Sequence, residues 1–257
     1  MKTDSDRAAA SIETCFRSFV SGMADDIWRR EEAGVLAFIS GLAIPLLNSV
    51  SVYDPGADLG HVHDMLTTVL ESGFPCLLQG RAALQGELAA LAAQFGLVPG
   101  EALPLMILDD VQAWAASQPP ARPRVRELTL EERHLHAELL AAGFAAPLGL
   151  MVQMVELFHS GPNSRMYVAE VAGVPVSTSV SVLTEPDSVG IFDVATPPEH
   201  RRHGYGAAAT AHAIRTGLAS GATWAWLQSS PAAYSMYERM GFRTVEKWPA
   251  WTQPTTQ

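Results

Sequence analysis

Cysteine is scarce in this chain: two residues, Cys15 and Cys76, among 257. Two thiols build no disulfide framework, and no apolar leader-like run follows Met1. The expectation is a cytoplasmic protein with reduced thiols. Cations are also few, 17 Lys and Arg against 27 Asp and Glu, which leaves a net charge of -10. That balance argues against nucleic-acid binding, because affinity for a phosphate backbone needs clustered cations, and it favours a cationic substrate. No apolar run is long enough to span a bilayer, so no membrane partner is expected. Two phosphate-binding signatures are missing as well: there is no G-x-G-x-x-G and no Gly-Lys-Ser/Thr.

What the chain does have is apolar residues, 48% of the total, enough for a core of one large or two ordinary domains. The stretch "AASQPPARPRVREL", residues 115–128, holds three prolines between two apolar-rich halves and reads as a connection. The expected organisation is a domain over 1–118, a linker at 119–124 and a second domain over 125–257.

The halves resemble each other near their ends. "YDPGADLGHVHDMLTTVLESGFPCLLQ" (53–79) reads turn, helix, Ser-Gly stop, apolar strand, Leu-Gln, and "ATPPEHRRHGYGAAATAHAIRTGLASGATWAWLQ" (195–228) reads the same way. Each leads into a second helix ending at glycine plus an apolar residue, and then into a further apolar strand. One difference is chemical. Where the first copy has "PGADLGHVHD", the second has "PEHRRHGYGAAA", with two arginines and a Gly-x-Gly.

The rest of the second half reads as helices over "TLEERHLHAELLAAGF" and 148–158, a hairpin around Ala172-Gly173, and a strand "SVGIFDVAT" entering the glycine motif. Gly204 and Gly206 at that strand-to-helix junction let a ligand approach main-chain N–H groups left unpaired at the helix start. The helix dipole favours an anion there, and Arg201 and Arg202 would add charge-assisted hydrogen bonds. The expected ligand is a pyrophosphate.

"VATPPEHRRHGYGAAATAHAI", with Arg201-x-x-Gly204-x-Gly206, resembles the acetyl-CoA motif of the GNAT superfamily of N-acetyltransferases. "SSPAAYSMYERMGF" resembles the helix that follows it in that family. The resemblance implies an α+β chain of two tandem GNAT-like domains, each a mixed, mostly antiparallel sheet flanked by helices, the first lacking the CoA loop. It implies acetyl-CoA as co-substrate, no metal, a small-molecule amine as acceptor, and a monomer or homodimer. Val194, Ala195 and Thr196 would meet the pantetheine arm, and Arg201, Arg202, His203, Gly204, Tyr205, Gly206 and Ala207 the pyrophosphate. The Val194 N–H would also steady the thioester oxygen, a contribution of about 2.7–4 kcal/mol for a pre-aimed donor. Tyr237 would protonate the departing thiolate. Ser230 stands where many family members have asparagine.

The proton acceptor for the amine stays open. Asp193, beside Val194, is the first candidate, yet strand alternation would turn it to the face opposite Phe192 and Val194. Glu170 is next, and a water-mediated route needs no side chain. The pairs His61-x-His63 and His134-x-His136 lack a third ligand at metal spacing. A non-catalytic acyl-CoA-binding module and a CoA-independent protein of the same fold are the competing readings.

Overall fold

A computed structural model describes residues 3–23, 27–117, 123–158, 163–184 and 186–254. In chain order its elements are α1 (Asp4–Ser21), β1 (Arg29–Glu32), β2 (Val35–Ile39), β3 (Asn48–Val52), α2 (Leu59–Glu71) and β4 (Leu77–Gly80). Next come α3 (Gln85–Gln94), β5 (Val98–Pro99), β6 (Leu103–Leu108), α4 (Val111–Ser117), β7 (Arg124–Glu127), α5 (Arg133–Phe144) and α6 (Leu148–Phe158). The remainder is β8 (Ser164–Val171), β9 (Val174–Thr184), β10 (Ser188–Ala195), α7 (Tyr205–Ala219), β11 (Trp224–Gln228), α8 (Pro231–Arg239), β12 (Arg243–Trp248) and β13 (Ala250–Thr252). Of the linker expected at 119–124, residues 119–122 lie outside the described residues.

The strands form two mixed sheets, ordered β1-β2-β3-β4-β13-β5 and β12-β6-β11-β10-β9-β8-β7. The chain divides into two compact units, Met1–Leu105 with Thr244–Gln257, and Met106–Arg243. This is the α+β architecture the sequence implies, with one addition. The C-terminal strand β13 enters the first sheet between β4 and β5, pairing Trp251 with Leu78 and with Pro99.

In the first unit, β3 and β4 run parallel and α2 makes the crossover between them. Parallel neighbours need such a crossover, and the helix returns its apolar stripe to the sheet. Val62, Met65, Leu66 and Val69 of α2 are fully buried over Val50, Val52 and Leu78. Trp248 and Trp251 are buried too, which makes them core residues of this unit.

The second unit repeats the arrangement: β10 and β11 are parallel and α7 crosses between them. Val189, Ile191, Ala225 and Leu227 meet Ala213 and Ile214 in its core. Contact there is close because α7 carries glycine at the crossing, where a Cβ on Gly217 would fall 2.7 Å from the Val189 side chain. The β8–β9 hairpin turns on Ala172 (φ 51) and Gly173 (φ 81), the two left-handed residues a tight hairpin turn requires. Along β9 the side chains alternate: Ser179 Oγ donates to the Ala209 carbonyl of α7, while Thr178 meets His136 of α5. Thus α5 and α7 cover opposite faces of the sheet. Thr129 and Glu132 meet in the turn before α5, where the Thr129 N–H donates to the Glu132 carboxylate at 3.0 Å.

Candidate active site

The start of α7 is open. Gly204 (φ 82) precedes the helix with no side-chain cap, and the first main-chain bond is from Ala208 N–H to the Gly204 carbonyl. The N–H groups of Tyr205, Gly206 and Ala207 therefore lack a main-chain acceptor and point outward along the helix axis. A side chain on Gly206 would place its Cβ 3.2 Å from Thr196 Oγ1 and 3.6 Å from Val194, so only glycine leaves this approach clear. The equivalent helix start in the first unit is closed by its own carboxylate. There Asp58 caps α2, accepting from the Gly60 N–H at 2.8 Å. A carboxylate in that position occupies the donors and repels an anion, so the first copy has filled the site that the second leaves open.

The open helix start faces a cleft of about 810 Å³. Of the residues singled out in the sequence, Val194, Ala195, Thr196, Arg201 and Arg202 line it, as do Gly204, Tyr205, Gly206, Ala207 and Ser230. His203 does not; its ring stacks on Tyr205 at 5.4 Å and its Nδ1 meets the Arg201 carbonyl.

The two arginines have different environments. Arg201 donates through Nε to the Thr196 carbonyl at 3.0 Å and through a terminal nitrogen to the Gly143 carbonyl at 2.7 Å. Its guanidinium is thus engaged in holding the loop on the end of α5, a part that differs from the phosphate ligand expected of it. Arg202 has no side-chain partner among the described residues. Its φ of 63 is a left-handed value that a non-glycine residue adopts at a cost.

Arg239, on α8, also lines the cleft and likewise has no partner among the described residues. The sequence reading missed it. The available signal was helical spacing, since Met236 and Arg239 of α8 and Met240 at its C-terminal cap are three and four residues apart and all line the cleft.

Tyr237 is not among the residues that line the cleft. It is 6% exposed, packs its ring against Phe242 at 5.7 Å and belongs to the core of the unit rather than to the cleft wall. Burial pushes its phenol well above the ordinary value, so the hydroxyl stays protonated.

Asp193 sits where the ladder breaks. The β10–β9 register passes from Phe192↔Val180 to Ala195↔Thr178, a shift that places Asp193 and Val194 in a bulge. Asp193 itself has φ 52. A bulge of this kind resets the alternation of side chains. Val194 faces Gly206 at the start of α7, and Asp193 is directed to α5, where its Oδ2 lies 3.8 Å from His136 Nε2. The simple alternation applied to the sequence could not foresee this reset. Glu170, the second candidate base, forms an ion pair with Arg126 at 2.9 Å. Among the described residues no group of three or more His, Cys, Asp or Glu is placed to hold a metal ion, and no helix is long and apolar enough to cross a membrane.

In the second unit of this α+β protein an uncapped helix start thus lies beside a bulged strand, with Arg202 and Arg239 lining the same cleft. Residues 127–242 match the acetyltransferase (GNAT) family, and this stretch of the chain belongs to that family. The solved structure of a GCN5-related N-acetyltransferase from Kribbella flavida is similar over 100% of this chain and 98% of its own, at 18% identity and a TM-score of 0.74. A GCN5-related N-acetyltransferase from Sphaerobacter thermophilus is similar over 99% and 94%, at 17% identity and a TM-score of 0.55. A tandem GNAT protein from the clavulanic acid biosynthesis pathway is similar over 86% and 79%, at 16% identity and a TM-score of 0.58. These likenesses establish the tandem fold. Comparison with curated proteins gave no match.

Proposed function

We propose that the chain transfers an acetyl group from acetyl-CoA to the nitrogen of a small primary amine, by direct attack while both substrates are bound. The observation that carries this reading is the uncapped start of α7, with Arg202 and Arg239 beside it, in a chain whose overall charge is -10. In an acidic protein, cations without partners around open N–H donors make a local site for a polyanion such as the pyrophosphate of CoA.

Acetyl-CoA supplies the activated acyl group, and the residues of the chain do the rest. Tyr205 to Ala207 would bind the pyrophosphate through their N–H groups, with Arg202 and Arg239 neutralising its charge. Val194 and Thr196 would align the arm that leads to the thioester, and the Val194 N–H, in the bulge, is the donor for negative charge that builds on the acyl oxygen. Asp193 would take the proton that the amine must lose. Tyr237, a phenol held protonated by burial, would return a proton to the sulfur. Orientation of the two substrates in one cleft supplies much of the rate.

The test is a panel of primary amines with acetyl-CoA, following thiol release, together with the melting temperature in acetyl-CoA. Turnover on at least one amine and a raised melting temperature are expected. No rise in melting temperature at saturating acetyl-CoA removes the proposal. The burial of Tyr237 favours a second reading, an acyl-CoA-binding module without acceptor chemistry. A raised melting temperature with no acetylated amine selects that reading.

A further inference from the structure

His136 is fully buried, yet both its ring nitrogens face polar groups. On one side Nδ1 is 2.5 Å from Thr178 Oγ1, and Thr178 in turn donates its hydroxyl proton to the Tyr167 carbonyl at 2.8 Å. A threonine hydroxyl has a single proton. With that proton given to Tyr167, Thr178 can only accept from His136, so Nδ1 carries a hydrogen and the tautomer is fixed. The exchangeable position is then Nε2, which faces Asp193 Oδ2 at 3.8 Å. Asp193 is 21% exposed at the side chain, adjacent to cleft-lining Val194, and is held there by a left-handed backbone in a strand bulge. Such backbone outliers cost free energy and concentrate where function requires a particular side-chain direction.

From this chain of contacts we infer that His136 and Asp193 form a coupled proton-accepting pair for the amine. Asp193 is the member that meets the substrate, and His136 is the positioning residue behind it. The inference rests on the acetyl-transfer reading and names the machinery of its acceptor side. The amine arrives as an ammonium. Its proton passes to the Asp193 carboxylate, and Asp193 delivers a proton to Nε2 of neutral His136, leaving a nucleophilic amine and an imidazolium. After acyl transfer the proton returns through Asp193 to water. The present 3.8 Å is longer than a hydrogen bond, and catalytic contacts of this kind often tighten only when substrate binds.

Other charged groups on the elements around α5 are engaged with partners. Glu170 of β8 pairs with Arg126, and Glu156 of α6 with Arg133. From β9 the ring meets Thr178, which does not titrate.

The experiment is ring-nitrogen NMR of the full chain labelled with ¹⁵N-histidine, with His136 assigned by the signal lost in His136→Asn, in the wild type and in Asp193→Asn. Asparagine tolerates a left-handed backbone, so the variant is expected to fold, and its melting temperature checks this. The expected result is a hydrogen on Nδ1 and a titration at Nε2 that falls by about one pH unit or more when the carboxylate is removed. A hydrogen on Nε2 in the neutral ring, or a ring that ignores Asp193→Asn from about pH 5 to pH 9, overturns the pair. In the kinetic arm, with the fastest amine of the panel, His136→Asn keeps a donor toward Thr178 but loses the nitrogen facing Asp193. It should lower kcat by about tenfold or more with the KM for acetyl-CoA unchanged. An unchanged kcat also overturns the pair. If acetyl-CoA fails to raise the wild-type melting temperature, the acetyl-transfer reading falls and takes the role of the pair with it. A silent ring with intact acetyl transfer removes the pair alone.

Discussion

Arg81 Nε and Glu246 Oε2 lie 2.8 Å apart, although 165 residues separate them in the chain. Both side chains are nearly buried, 8% and 10% exposed, and the same guanidinium reaches Asp6, Ser5 and the Tyr53 carbonyl. Glu246 also accepts from the Trp248 indole and the Ala82 N–H. The cluster joins α1, the end of β4 and the C-terminal strand segment within one unit. Removing Glu246 would leave a buried guanidinium partly uncompensated and two N–H donors unsatisfied. Glu246→Ala should destabilise the first unit by about 3 kcal/mol in denaturant unfolding. A loss below about 1 kcal/mol would show the cluster to be incidental to stability.

Acid should weaken the same cluster in a recognisable window. The hydrogen bond from Arg81, with further ones from Thr3, lowers the Asp6 carboxyl from an ordinary 3.8 to about 2. A depressed carboxyl stabilises the fold above its unfolded value and loses that contribution as pH falls through the folded value. The stability gap between wild type and Asp6→Asn should therefore be constant above about pH 5 and close progressively toward pH 2. Melting temperatures measured across that range test it, and a gap independent of pH counts against the ion pair.

How much of this was readable beforehand depended on sequence distance. The repeat of turn, helix and strand around 53–79 and 195–228 was legible because each copy is local, and both became parallel strand pairs crossed by a helix. The open start of α7 was legible for the same reason, since Gly204 and Gly206 act on their own backbone. The insertion of β13 into the first sheet was not, because strand pairing across such a separation leaves no local signal in "AWT". Nor was the meeting of His136 with Asp193. In sequence His136 was one half of a His-x-His, and only a one-residue bulge directs Asp193 toward it. The engagement of Arg201 by two carbonyls was equally hidden, because Arg201 and Arg202 are identical in type and differ only in what surrounds them.

Gly217 shows how little room the crossover helix has. A methyl group there would lie 2.7 Å from the Val189 side chain, in a core with no flexible neighbour at that contact. Although alanine is the better helix former, Gly217→Ala should destabilise the second unit by about 1–3 kcal/mol. Thermal unfolding that shows a stabilised variant would mean that α7 stands farther from the sheet.

Tyr237 separates chemistry from packing. Its hydroxyl has no hydrogen-bond partner among the described residues, and its ring belongs to the core, so Tyr237→Phe should leave stability within about 0.5 kcal/mol. If the phenol supplies the proton to the sulfur, kcat should drop by about 100-fold while acetyl-CoA binding persists. Unchanged turnover would return Tyr237 to a purely structural part and leave water as the proton donor.

The neighbouring arginines give the sharpest contrast, because the two share one charge and one loop. Arg201 donates two hydrogen bonds to main-chain carbonyls on separate elements. Arg201→Ala should therefore lower stability by about 1–2 kcal/mol and loosen the loop that shapes the cleft. Arg202 gives no such bond, so Arg202→Ala should leave the melting temperature of the unliganded protein unchanged or raise it slightly. What Arg202 offers is a cation at the cleft, and one charge-assisted hydrogen bond to phosphate amounts to about tenfold or more in affinity. Calorimetric titration with CoA should show that loss for Arg202→Ala, and a similar one for Arg239→Ala. Equal effects of Arg201→Ala and Arg202→Ala on the unliganded melting temperature would contradict the division of labour between them.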